Sequence, residues 1–186
     1  MESLRSLSSQ ETARRLAYVG FVLTAYELVK SMIVSPIKAF YAHLTFAPGM
    51  PFKSYQDDVR SRHANEFEAC LLYLRDFMGA IDSADLLVIQ ALRRHRNELA
   101  HELVDRQPRL RIEEYQDLLT RVDHTLNTLS AYRLKMEIGA DPEFLKLGLG
   151  WDEVMGQEYW IFSTIRDKIA GLSILCPPEP HREETS

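Results

Sequence analysis

Cysteine is nearly absent from this chain. Only Cys70 and Cys176 occur in 186 residues, far apart and with no paired spacing. That excludes a disulfide framework and the usual zinc-binding patterns, which need clustered cysteines. A reducing, cytoplasmic setting is therefore expected. Glycine and proline are sparse as well, eight of each, and no glycine-rich phosphate loop or serine-nucleophile elbow is present. Strand-like alternation is missing, and so is any repeat of fixed period. Long apolar runs are also lacking. The stretch from Leu16 to Tyr26 follows Arg14 and Arg15 like a signal peptide, yet it runs on into Glu27 and Lys30 without a small-residue cleavage site. It is too short and too charged to cross a bilayer. A core helix is expected there, with no membrane partner. Finally, there is no excess of positive charge. The formal net charge is −5, so no global basic field advertises nucleic-acid binding.

What is present is helical periodicity. With 46% hydrophobic and 26% charged residues, the composition is that of a soluble globular protein, and the length suits one domain. Ser8 and Glu11 read as a capping box, followed by Leu16, Val19, Val22, Tyr26, Val29 and Ile33 at three- and four-residue steps. Ser35-Pro36 should stop that helix and start a short second one through about Leu44. Residues 47–62 read as a loop. A third helix is expected from about His63 to Ala80. A fourth, capped by Asp82, should run to Leu103. A fifth carries Ile112 to Tyr132 beyond a turn at Pro108. A last one is expected from a cap at Asp152 to about Leu172. The predicted fold is all-α, an antiparallel bundle of five to six helices forming one domain over 1–175, with 176–186 as a disordered tail.

The fourth helix carries an unusual run, Arg93-Arg94-His95-Arg96-Asn97-Glu98-Leu99-Ala100-His101. On a wheel with Ile89 at zero and roughly 100° per residue, Leu92, Leu99, Ala100 and Leu103 fall within about 80° of it. Arg96 falls at about −20°, inside that stripe, where a cation must snorkel, pair or line a cleft. Asn97 and His101 share a flanking face. Between Arg93 and Arg111 six arginines face three acidic residues, a local positive patch suited to phosphate.

Arg96-Asn97 followed by His101 resembles the signature of the HEPN superfamily, a helical group with many RNA-cleaving members. The resemblance covers that motif and its helical surroundings, from about Phe67 to Tyr132. It implies a metal-independent endoribonuclease, such as a toxin or an anti-phage defence effector, with RNA as substrate and no cofactor. Histidine suits proton transfer near neutral pH, and arginine offers a permanent fork for phosphate oxygens. Arg96, Asn97 and His101 are thus the candidate catalytic residues. His101 would serve as acid or base and Arg96 would stabilise phosphate, while Asn97 would orient the imidazole or touch substrate. Arg93, Arg94 and His95 read as flanking phosphate contacts or solvated positions, the latter favoured, with Arg93 and Arg94 the candidate substrate contacts. His43, His63, His124 and His181 carry no motif.

Positions 96 and 101 differ by about 140° around a straight helix, so one copy does not aim both groups into one cleft. The family pairs as homodimers, and a twofold axis beside this helix would solve the geometry. Some family toxins carry a tyrosine two residues after the histidine, which a nucleotidyltransferase antitoxin modifies. Leu103 stands there, so a protein antitoxin would have to act by covering the cleft. The alternative is a non-catalytic HEPN-like module that binds RNA, nucleotide or protein. Glu98 and His101 have di-iron spacing, but the second copy and further glutamates of such a site are missing.

Overall fold

Asp82 starts its helix by a reciprocal cap. Its Oδ1 accepts the Asp85 N–H at 2.8 Å, and Asp85 Oδ2 accepts the Asp82 N–H at 3.2 Å, so two donors exposed at a helix start are satisfied. Asn65 does half of this, accepting the Glu68 N–H at 3.2 Å. Ser8 Oγ likewise takes the Glu11 N–H at 3.1 Å, but the Glu11 carboxylate turns to Arg14 and Arg15.

The computed structural model describes residues 8–43, 45, 49–101, 112–138, 146, 150 and 154–175, with the side chains of 101, 113, 114 and 169–175 outside that description. Among the described residues there are six α-helices: α1 Ser9–His43, α2 Tyr55–Asp58, α3 Glu66–Asp76, α4 Ser83–His101, α5 Gln116–Ile138 and α6 Gln157–Leu175. Single 3-10 turns occupy Arg60–Arg62 and Ile112–Tyr115. No strand occurs among the described residues, and the protein is the all-α bundle its periodicity predicts.

Side-chain pairs give the packing directions. Asp85 meets Thr125, while His95, ten residues later on α4, meets Tyr115 before α5. The two helices therefore run antiparallel. On α6, Tyr159 and Glu158 reach back to Asp123 and Arg133 of α5. Glu68 of α3 meets Gln90 and Arg93 of α4. The long α1 packs against α3, α4 and α6. One contiguous core results, with Val22, Ile33, Leu71, Leu92, Leu126 and Phe162 fully enclosed. Each such side chain contributes roughly 1.5–3 kcal/mol by leaving water.

Several boundaries differ from expectation. Pro36 does not end the first helix, which continues to His43. An interior proline costs about 3 kcal/mol, but Ile33 and Ile37 on either side are both buried and offset that loss. The expected loop at 47–62 holds α2, capped by Ser54. Helix α3 is shorter than 63–80 because Asn65 caps it and Gly79, at φ +61°, turns the chain out. The left-handed conformation there favours glycine. Helix α6 begins at Gln157, and residues 154–156 are not helical. Gly156 marks the start because its N–H donates to Ser130 Oγ at 2.7 Å, and any Cβ on it would sit 2.7 Å from that oxygen. The expected cap Asp152 and the tail 176–186 lie outside the described residues.

On length and composition, α1 is the one helix among the described residues that could cross a membrane, and half of its apolar window is buried inside the bundle. The described cysteine, Cys70, is a free and buried thiol, and burial pushes its pKa up.

Candidate functional site on helix α4

The buried face of α4 is offset from the wheel drawn on Ile89. Val88, Leu92, His95 and Leu99 are buried, a four-three-four spacing that forms one stripe. Arg96 lies on its edge, and Ala100, expected inside it, is exposed. His95 was expected in solvent and is instead 3% exposed. Its Nε2 lies 2.9 Å from the Tyr18 hydroxyl of α1. Its ring stacks on Tyr115, centroids 3.7 Å apart and planes 19° from parallel. Nδ1 is buried without a partner, so whichever tautomer forms, one ring nitrogen goes unmatched. Burial lowers the imidazole pKa to about 4, because the charged form is the one that loses water. Burial likewise raises the pKa of Tyr18.

Arg93 is a strut between helices. Its Nη1 forms an ion pair with Glu68 Oε1 of α3, while Gln90 Nε2 donates to the other carboxylate oxygen at 2.8 Å. The guanidinium carbon lies 6.0 Å from the Phe67 ring centroid. Arg94 is exposed.

Arg96 is held more loosely. Its Nη1 donates to Asn97 Oδ1 at 3.2 Å, and its Nη2 is 3.5 Å from Glu27 Oε1 of α1. The guanidinium carbon lies 5.2 Å from the Tyr26 ring centroid, a cation–π distance. Nε is buried without a partner. Burial raises the Tyr26 pKa, and the Arg93 and Arg96 charges pull it the other way. Asn97 thus spends its carbonyl oxygen on Arg96.

His101 is the last residue of α4, and its side chain lies outside the described residues. So do Arg106, Arg109, Arg111 and Leu103. The structure therefore brings Arg96 and Asn97 together, places Arg93 against α3, and leaves the imidazole of His101 to the sequence argument. Among the described residues no three His, Cys, Asp or Glu side chains gather in a metal-binding group.

Sequence reasoning missed Tyr26 and Glu27 as neighbours of Arg96, Glu68 as the partner of Arg93, and Tyr18 and Tyr115 as the walls around His95. The stripe spacing of Val88, Leu92, His95 and Leu99 could have placed His95 inside. Nothing local could have paired Arg96 with a helix so far away in sequence. No protein-family model matches the chain, and no curated protein or solved structure matches it significantly.

Proposed function

We propose that the protein is a metal-independent endoribonuclease of the HEPN type, acting in the cytoplasm as a toxin or anti-phage effector. The observation that carries this reading is the setting of Arg96. The side chain is 31% exposed, steadied by the Tyr26 ring and Asn97, and among the described residues opposed by one carboxylate, a Glu27 that is 55% exposed at 3.5 Å. Such a half-open ion pair is worth about 0–1 kcal/mol. An RNA phosphate can displace Glu27 and take its place on the guanidinium.

In this mechanism His101 takes the proton of a ribose 2′-hydroxyl. The oxygen attacks the adjacent phosphorus, and Arg96 balances the charge that gathers on the phosphoryl oxygens. A second histidine returns a proton to the leaving 5′-oxygen. The products are a 2′,3′-cyclic phosphate and a 5′-hydroxyl end. Because Arg96 and His101 diverge by about 140° around the helix, the complete set comes from two chains related by a twofold axis beside α4. Arg94 is exposed on another side of α4 and would add at most a long-range electrostatic attraction for the RNA backbone.

The test is incubation of purified protein with RNA in a metal chelator. Cleavage with cyclic-phosphate ends is expected, lost in both Arg96→Ala and His101→Ala. Mixing the two inactive variants should not restore it, since a mixed dimer carries one His101 where the step uses two. Cleavage that survives both substitutions overturns the assignment. The second reading, a binding module without turnover, is favoured by Glu68 and Glu27, which offset two of the three described arginines of the patch. RNA retention without cleavage, lost on Arg96→Ala, would decide for it.

A further inference from the structure

A cavity of about 540 Å³ opens beside the C-terminal half of α1, away from the arginine–histidine motif. Its walls include Met32, Pro36, Phe40, Tyr73, Met78 and Tyr132. The volume is in the range of small-molecule sites, roughly 300–1,000 Å³. Thioethers interleaved with aromatic rings give a polarizable, adaptable lining that suits a flat or flexible hydrocarbon.

Three polar features of the wall select the other end of the ligand. Pro36 has no N–H, so the Met32 carbonyl four residues earlier lacks its helical donor, and both residues face the cavity. The Met78 carbonyl is already taken by the Tyr132 hydroxyl at 3.3 Å. Glu137 and Arg133 line the cavity, and Arg133 divides its guanidinium between Glu137 and Glu158, which lies outside the lining, so Glu137 has only a shared cation. An acceptor without its helical donor and a carboxylate with only a shared cation favour a hydrogen-bond donor or a cation over a carboxylate.

We propose that this cavity is a binding site for a small apolar amine, its hydrocarbon part against Met32, Phe40 and Met78 and its nitrogen toward Glu137. This goes beyond the ribonuclease reading and does not depend on it, since no motif residue lines the cavity.

The probe is N-phenyl-1-naphthylamine, a neutral aromatic amine that fluoresces on leaving water. Titration of the full chain should give saturable enhancement with one probe per chain. Decylamine should displace it about tenfold more effectively than decanoate, the ratio expected for one partly exposed carboxylate, and Glu137→Gln should remove most of that preference. Ala39→Trp and Ser35→Trp place a large ring at lining positions that are exposed. Both should abolish binding while circular dichroism and thermal melting stay as in the parent. Absence of saturable binding, or binding that survives both tryptophans with the fold intact, overturns the proposal. Decanoate displacing the probe as well as decylamine overturns the assignment of the amine.

Discussion

Arg93 and Arg96 stand one turn apart on α4 and are held in opposite ways. Arg93 meets a carboxylate that is 13% exposed and fixed on its far side by Gln90. Arg96 meets one that is 55% exposed, at 3.5 Å, with a ring face and an amide for its other contacts. A cation locked to a half-dry carboxylate holds two helices together. A cation beside a wet carboxylate keeps its charge available. The same residue type, three positions apart, thus serves cohesion in one place and keeps an accessible charge in the other.

The largest expected effect separates the two arginines by activity. Arg96→Ala should lower RNA cleavage by about 10²–10³-fold, the usual loss when one group stabilising transition-state charge is removed. Arg93→Ala should leave the rate of the folded protein within a few fold. Quantified cleavage under chelating conditions reads both, and equal losses would erase the distinction.

Next is the residue between them. The His95 pKa is lowered to about 4 by burial, against about 6.5 in an unfolded chain. The unfolded chain then binds the proton more readily, so the contribution of His95 to stability is complete above pH 6.5 and fades as pH falls toward 4. The loss is about 2 kcal/mol at pH 5 and about 3 kcal/mol at pH 4. Urea denaturation at pH 7 and pH 5 should show a smaller drop for Tyr18→Phe/His95→Phe than for the parent chain. An unchanged drop would assign the acid sensitivity to carboxylates alone.

Stability should reverse the order expected for activity. Arg93→Ala leaves the Glu68 carboxylate partly buried without its cation, at a cost of about 1–3 kcal/mol. Arg96→Ala should cost less than about 1 kcal/mol. Denaturation midpoints at pH 7 compare them directly. The smallest effect belongs to Glu27→Gln, which removes the competitor for phosphate. RNA affinity should rise a few fold at low salt, with a steeper dependence on salt concentration. Weaker binding would mean that Glu27 positions Arg96 more than it competes for it.

The helices and their antiparallel order were legible in the sequence because apolar periodicity and the Asp82 cap are local signals. Pro36 misled because its cost is local while its compensation, the burial of Ile33 and Ile37, comes from the bundle. The inner face of α4 was misplaced because Ile89 was taken as its centre. His95 reads in sequence as solvated or phosphate-binding, although the stripe through Leu92 and Leu99 passes directly over it. Within the site, the wheel puts Arg96 inside the apolar stripe, whereas the structure puts it on the edge with its side chain 31% exposed. Its contacts with Tyr26 and Glu27, and those of Arg93 with Glu68, are tertiary and had no signature in sequence.

The bonded nitrogen and stacked ring of His95 constrain α4 as a whole. Leucines tolerate small rotations of a helix about its axis, because one hydrocarbon surface replaces another at little cost. An imidazole bonded to the Tyr18 hydroxyl and stacked on Tyr115 does not, since turning the helix breaks the hydrogen bond and leaves two buried polar groups unmet. His95 therefore sets the angular phase of α4. The neighbouring residue on the chain is Arg96, so the direction in which its guanidinium faces is indexed by a side chain that never touches solvent.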